Sequence, residues 1–329
     1  MTKTWARAAC SHPALSGISR EHLGELVAEL APKWEAQQES ALTERRRGQR
    51  RRAAGAGPKH QLVFTDRVLV TLVKLRHDLP DAALAELFGV DRSTVSGAIR
   101  QIRPLLAARG FAVPDRPGIR LHTLEDVFAY AAAEGVKLRL DGTDVQVRRP
   151  VAGRPGRKAF ISGKRRQNTI KTTTFTDGQG RTLFSGVPRP GRMHDQTALR
   201  TEGIAECFRR YPEVEAEVDE GYRGLANEFP GQVSAPPKPM TKKARESAPL
   251  GEQYAWREGR RRQSSQRICV EHANAEYKQW RPMQRYTGRR EDFAETQTAI
   301  AALVSDRSAR RATRRETSTE LVLARTAAC

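Results

Sequence analysis

The stretch Leu138-Arg139-Leu140-Asp141-Gly142-Thr143-Asp144 decides how the second half of this chain is read. Leu138 and Leu140 alternate with Arg139, the period-two spacing of a strand with one buried face. Asp141-Gly142-Thr143 then cuts the run. Asp and Gly are poor strand formers, so something other than sheet stability has to place an acid at that strand's end. A carboxylate at the tip of a buried strand suits a hard cation. Mg²⁺ takes oxygen ligands and is commonly held by one or two carboxylates together with substrate phosphates. The plain alternative is that Asp141-Gly142 is a hairpin turn.

Beyond that stretch, the chain has 329 residues, room for two domains or for one large domain with an appendage. Its formal net charge is +20, an excess that favours a polyanionic partner, nucleic acid foremost. The excess is not confined to one tail, which suits extended contact with a phosphate backbone. Cys10, Cys207, Cys269 and Cys329 are widely scattered and form no CxxC pair, which argues against a structural zinc site. The N-terminus has no signal-peptide apolar region, and no apolar run reaches the length of a membrane span. These features predict a soluble protein in a reducing, intracellular setting with no membrane partner.

The first forty residues predict a helix with Leu23, Leu26, Val27 and Leu30 at helical spacing, closed by Pro32. An arginine cluster over 44–52 runs into the Gly/Ala stretch 53–57 and reads as a basic linker. Residues 62–105 are more specific. Thr65 is the expected N-cap of a periodic segment through Leu75, which His77-Asp78-Leu79-Pro80 breaks. Asp81–Phe88 is a short helix ended by Gly89. Another helix opens near Arg92 and carries Ile99, Ile102 and Leu105. Helix, tight turn with glycine, second helix is the helix-turn-helix pattern, although an ordinary helical hairpin reads the same way. The second helix would present Arg92, Ser93, Thr94, Ser96 and Arg100. Small polar residues and arginine at that position suit base edges and phosphates in a major groove.

A connector with Gly110, Pro114, Pro117 and Gly118 leads to a helix over 123–133, closed by Gly135. After Asp141 the β-branched run Thr169–Phe175 and the returning Thr182–Ser185, joined at Asp177-Gly178-Gln179-Gly180, make Asp141 part of the first of three sequential antiparallel strands. His194-Asp195 opens a helix that Asp195 can cap. Val218-Asp219-Glu220-Gly221 is a second strand running into acids and a glycine. Residues 230–265 read as an exposed, poorly regular insertion, and a helix over 264–280 follows. On that helix Glu271, Ala275 and Lys278 share one stripe. A last amphipathic helix spans 293–304, and the tail from Asp306 reads as basic and frayed.

Three acids stand out: Asp141, Asp219 and Glu271. Singly they read as two turns and a surface acid. Together, two carboxylate-bearing strands beside a carboxylate-bearing helix can hold two metal ions, which activate a water and stabilise a leaving 3′ oxygen. Carboxylates rather than His or Cys suit Mg²⁺ and Mn²⁺, which are hard ions.

With these residues in place, the sequence resembles DDE transposases of bacterial insertion sequences, of the insertion-sequence-five/Harbinger-like endonuclease group. The resemblance rests on Asp141-Gly142-Thr143-Asp144, on Pro190-Gly191-Arg192-Met193-His194-Asp195, on Asp219-Glu220-Gly221-Tyr222 and on Arg267-Ile268-Cys269-Val270-Glu271-His272. It covers residues 138–290, and residues 62–105 look like the helix-turn-helix that often precedes this domain.

The resemblance implies an α/β fold: a ribonuclease H-like mixed sheet flanked by helices, preceded by an all-α helix-turn-helix domain. It places the catalytic acids at Asp141, Asp219 and Glu271, holding Mg²⁺ or Mn²⁺, two ions in all. Asp195 is a candidate fourth acid. Lys278 matches a basic residue placed near the DNA, and His194 is a DNA-contacting or structural side chain. The organisation expected is a helical region with a basic linker (1–57), the helix-turn-helix (58–108), a connector (109–135), the catalytic domain (136–305) and a basic tail (306–329). The activity expected is metal-dependent cleavage and transfer of DNA strands at the ends of an insertion sequence. It would act on the double-stranded terminal repeats and a target, as a homodimer or higher on DNA, in the nucleoid-associated cytoplasm of a bacterium. Two other readings use the same residues: a domesticated helix-turn-helix protein without catalysis, and a metal-dependent endonuclease that does not join.

Overall fold

The computed structural model describes residues 3–46, 60–149 and 156–311. Most of the expected basic linker (47–57), part of the basic loop after the first strand (150–155) and the tail from 312 lie outside the described residues.

Three helices open the chain: α1 (Lys3–Cys10), α2 (Pro13–Ser16) and α3 (Arg20–Arg46). Pro32, expected to end the third, lies inside it. An internal proline costs about 3 kcal/mol through one missing hydrogen bond and a ring clash. Leu26, Leu30 and Trp34 offset that cost by burying one face of α3 on both sides of the proline.

The helix-turn-helix follows as α4 (Phe64–His77), α5 (Asp81–Phe88) and α6 (Arg92–Ala107). Thr65 is not the cap of α4. Asp66, fully buried, accepts a hydrogen bond from the Val63 N–H at 3.3 Å. Arg7 of α1 grips the same carboxylate with two bonds of 2.5 and 2.9 Å. A buried carboxylate needs both a cation and donors, and that requirement fixes where α4 starts. Gly89, at φ 59, ends α5 in the left-handed conformation that glycine adopts without steric cost. Leu84, Phe88, Val95 and Ile102 close the core between α5 and α6.

A small antiparallel pair, β1 (Phe111–Ala112) and β2 (Arg120–Leu121), leads to α7 (Leu124–Glu134). Thr123 and Asp126 cap α7 reciprocally, and Gly135 ends it.

The main sheet is built from β3 (Leu138–Val147), β4 (Thr169–Thr176), β5 (Thr182–Ser185) and β6 (Arg189–Pro190). After α8 (Asp195–Thr201) and α9 (Ile204–Arg210) come β7 (Ala216–Val218), α10 (Arg223–Glu228) and β8 (Val233–Ser234). The chain continues as α11 (Lys242–Ser247), α12 (Leu250–Lys278), α13 (Arg281–Gln284), β9 (Arg285–Tyr286) and α14 (Phe293–Ala309). The strand order is β5-β4-β3-β7-β8, with β6 on β4 and β9 on β3. β3, β4 and β5 run antiparallel, as expected, while β7 and β9 lie parallel to β3. The sheet is open and mixed, with helices on both faces, the arrangement of a ribonuclease H-like core. α12, α13 and α14 cover one face. On the other, Phe128 of α7 meets Phe208 of α9 edge to face at 4.9 Å between ring centres.

Three further expectations are corrected. β3 does not stop at Asp141: it pairs with β4 from Arg139 through Gln146, so Asp141 lies mid-strand. Gly142 is there because a Cβ would stand 2.5 Å from the Tyr222 hydroxyl. Residues 250–265 are not irregular but form the first half of the 29-residue α12. Their arginines, glutamates and glutamines are good helix formers, and the prolines that suggested a loop all precede Leu250. Asp306 opens no frayed tail. It is buried in α14, bonded to His22 at 2.9 Å and ion-paired with Arg109 and Arg120. Among the described residues no helix is long and apolar enough to cross a membrane.

Candidate active site

The site begins with the register of β3 on β7. Leu138, Arg139 and Leu140 stand beside Ala216, Glu217 and Val218. One step further come Asp141 and Asp219. Asp219 keeps an extended backbone (φ −75, ψ 167) although β7 has ended. Laterally adjacent residues of parallel strands point to the same face, and the strands lie about 4.8 Å apart. Asp141 and Asp219 therefore point to the same face of the sheet, side by side.

That face is covered by α12. Gln263 donates to the Val218 carbonyl at 3.3 Å, just before Asp219. Three turns later Asn274, 8% exposed, donates from Nδ2 to Asp141 Oδ2 at 2.6 Å. The Thr143 hydroxyl donates to Asn274 Oδ1 at 2.7 Å, which fixes the orientation of the amide. Thr143 is two residues from Asp141 and so on the same face. Arg139, also on that face, reaches Cys269 of α12 and the buried Glu217, the latter at 3.0 Å. α12 is thus fastened across both acid-bearing strands.

Glu271 is exposed. It lines a cleft of about 480 Å³ together with Asp219, Glu220, Arg260, Arg261 and Ser264, with Pro236, Pro237 and Pro239 forming another wall. Asp219 and Glu271 share this cleft, and Asp141, one register step past the last β3–β7 pair, lies beneath α12. Among the described residues no three His, Cys, Asp or Glu side chains converge as a ready-made metal cluster. The donor chemistry of the three acids nonetheless fits a hard cation, since every candidate ligand atom is a carboxylate oxygen.

Glu220, the acid beside Asp219, is neutralised locally. Arg223 donates from Nε to Glu220 Oε1 at 2.6 Å and holds its carboxyl below the usual range. The same guanidinium bonds the Pro236 carbonyl, tying the proline wall to the floor.

Asp195 belongs to a different constellation. Lys171 bonds it at 2.6 Å, and Lys171 is registered opposite Asp144, which is an odd number of residues from Asp141. Lys171 and Asp144 therefore lie on the sheet face away from α12. Burial pushes the Asp144 carboxyl above its ordinary value. On that same face stands the buried Tyr222, its hydroxyl against Gly142. Its hydroxyl is held neutral by burial first, then by the charges of Asp195 and Asp141. His194 is exposed and accepts the Gln196 N–H at 3.4 Å, capping α8.

In the helix-turn-helix, Arg92, Ser93 and Arg100 are exposed on α6. Thr94 donates to Gln61 at 3.3 Å, and Ser96 to Asp81 of α5 at 2.6 Å. Lys278, the last residue of α12, is exposed. Asn274, Lys171 and Arg223 escape a reading of the sequence, and Tyr222 enters it only as part of the Asp219-Glu220-Gly221-Tyr222 motif, with no role given to it. Only Asn274 leaves a signal, its i+3 spacing from Glu271 on a helix.

The family model described as the DDE superfamily endonuclease matches residues 140–305. The helix-turn-helix of DDE superfamily endonuclease matches residues 60–112. A probable transposase for insertion sequence element IS702 of Microchaete diplosiphon is 24% identical over 223 residues, 68% of this chain and 72% of its own. Among solved structures, the Mos1 transposase paired-end complex with left transposon end is 11% identical, over 68% of this chain and 82% of its own, at a TM-score of 0.18. The Mos1 mariner paired end complex with Mn is 13% identical, over 74% and 87%, also at 0.18. Superpositions this poor carry no argument, whereas the two family models together span the helix-turn-helix and all three candidate acids. The chain belongs to the DDE superfamily of endonucleases and is a DDE-type transposase/endonuclease with the superfamily's helix-turn-helix ahead of its catalytic domain.

Proposed function

We infer that this protein is a transposase that cuts and joins DNA strands at the ends of an insertion sequence, with Asp141, Asp219 and Glu271 as its catalytic acids. What supports this reading is that Asp141 and Asp219 each follow the last registered β3–β7 pair, Leu140–Val218, and that Glu271 and Asp219 line one cleft. These three carboxylates would hold Mg²⁺ or Mn²⁺, two ions in all. Such ions, when bound, activate the attacking oxygen and stabilise the leaving 3′ oxygen.

The chain's own residues do the rest. Asn274 orients Asp141. Arg223 cancels the charge of Glu220 beside the site. Arg92, Ser93, Thr94 and Arg100 of α6 meet the terminal repeat in a major groove, Ser96 ties α6 to Asp81 of α5, and Lys278 and His194 meet the phosphate backbone. The protein works on double-stranded element ends and target DNA in the bacterial cytoplasm, as a dimer or higher once on DNA. Asp195, tied to Lys171, is left as a fourth acid that supports the site without being its second catalytic carboxylate.

The test is nicking of labelled end DNA in Mg²⁺ beside a gel shift of the same DNA. Asp141→Asn, Asp219→Asn and Glu271→Gln should each abolish nicking and retain the shift. Asp195→Asn should lower nicking less than Asp219→Asn. Full nicking by both Asp141→Asn and Glu271→Gln would reduce the chain to a DNA-binding module.

A further inference from the structure

α12 extends far beyond what is needed to carry Glu271. At 1.5 Å per residue its 29 residues span about 42 Å. Its inward stripe is anchored along most of this length. The Trp256 indole donates to the Lys238 carbonyl at 2.8 Å, Gln263 to the Val218 carbonyl, and Asn274 to Asp141. Val270 and Tyr277 on the same stripe are buried.

On the outward side Tyr254, Arg257, Arg261 and Ile268 form one stripe at helical spacing, and Glu271 and Lys278, the i−3 and i+4 neighbours of Asn274, lie along its border with the inward stripe. Every one of these is exposed. Tyr254 shows 71% of its surface and Ile268 48%, large for apolar side chains on a folded domain. Among the described residues no acid is ion-paired with Arg257, Arg261 or Lys278. Arg261 is also part of the cleft wall that faces Asp219. An acid on an exposed helix face repels a phosphate. Here that acid is bracketed by cations, Arg261 about 15 Å to one side and Lys278 about 10 Å to the other.

We propose that this stripe is the track for the DNA strand next to the cut. Arg257 and Arg261 take its phosphates on one side of Glu271, Lys278 takes one on the other, and the Tyr254 ring stacks on an unpaired base. The proposal rests on the catalytic role of Glu271 inferred above and names what that site holds. A duplex presents phosphates outward and hides the faces of its bases. Exposed tyrosine and isoleucine among arginines instead match a single strand, whose bases stack on aromatic rings while cations follow its backbone. The length of the stripe and its continuity with the acid-lined cleft put such a strand in line with the reaction.

The test uses the full-length protein and fluorescent oligonucleotides: the element end as a blunt duplex, and the same end with an unpaired 3′ flap. Affinity is read by anisotropy without divalent ions, so it is independent of catalysis. Nicking is read separately in Mg²⁺. The Arg257→Ala/Arg261→Ala double variant should bind the flapped end at least tenfold more weakly. Its salt slope should be shallower by about 1.4, the value expected when two phosphates of a single strand are no longer neutralised. Tyr254→Ala should weaken the flapped end about fivefold or more and the blunt duplex little. Arg209→Ala, a surface arginine on α9, should change neither. Unchanged affinity and slope in the double variant would overturn the track, as would a lower oligomeric state of Tyr254→Ala with unaltered DNA binding, which would assign the stripe to a second copy. Failure of the catalytic reading shows separately, as nicking that survives Glu271→Gln while these affinities fall.

Discussion

Asn274 Nδ2 lies 2.6 Å from Asp141 Oδ2, so the helix that carries one candidate catalytic acid also positions another. The Thr143 hydroxyl fixes which end of the amide faces the carboxylate. Asn274→Ala should leave end-DNA binding intact and lower nicking about 10- to 100-fold, the usual cost of losing a group that orients a ligand carboxylate. Asn274→Asp should be worse, because it sets two carboxylates within hydrogen-bonding distance. A gel shift and a nicking time course on the same DNA read both. Nicking at the wild-type rate in Asn274→Ala would leave the contact without a role in the reaction.

On α6, the exposed Arg92 and Arg100 are expected to behave differently from Ser96. Arg92→Ala should lower the preference for element ends over random DNA by about tenfold, the scale of one bidentate hydrogen bond to a base edge. Arg100→Ala should weaken both DNAs alike and flatten the salt dependence. The Ser96 hydroxyl already bonds Asp81, so Ser96→Ala should lower stability by about 1 kcal/mol. Competition gel shifts and thermal melts separate the three.

Asp306 joins α14 to the N-terminal half of the chain through His22, Arg109 and Arg120. Burial by itself would raise its carboxyl. The His22 hydrogen bond and the two arginines outweigh that and hold it well below the usual carboxylate range. Asp306→Asn strands buried cations and should cost about 3–5 kcal/mol. A depressed carboxyl contributes stability above its ordinary value, about 3.9, and loses it as pH falls toward the depressed one. The gap between wild type and Asp306→Asn in urea melts should therefore hold from pH 8 to pH 5 and narrow below about pH 4.

Glu202 titrates in the opposite sense. Burial pushes its carboxyl up to about 7, and Arg189 offsets only part of this. A raised carboxyl binds its proton more tightly in the folded chain, so stability falls as pH rises between about 4.3 and 7. Glu202→Gln removes that dependence. It should be more stable than wild type at pH 8, by on the order of 1–3 kcal/mol, and close to it at pH 4. Parallel pH profiles of the melting temperature check the crossing.

How much of this protein is written locally depends on the range of the interaction. Alternation and helical spacing mark β3, β4, β5 and the three helices of the helix-turn-helix without any tertiary knowledge, because burial of one face imposes the period. Asp141, Asp219 and Glu271 stand out through the order of their motifs, since the strand end expected at Asp141 is not there. Local signals fail where distant residues outweigh propensity. Pro32 stays in α3 because Leu26, Leu30 and Trp34 bury around it, and Gly142 stays in β3 because the Tyr222 hydroxyl fills the space of its side chain. Asp306 sits in a helix because His22, Arg109 and Arg120 come to it from far along the chain. The sequence by itself determined the order of the elements and the types of the acids. Only the tertiary structure decided that the strands carrying Asp141 and Asp219 run parallel side by side, that Asn274 holds the first of these acids and that Glu271 is exposed in a cleft with Asp219 and Arg261. Strand register and helix docking are set by contacts between residues more than seventy positions apart, and no local pattern encodes those.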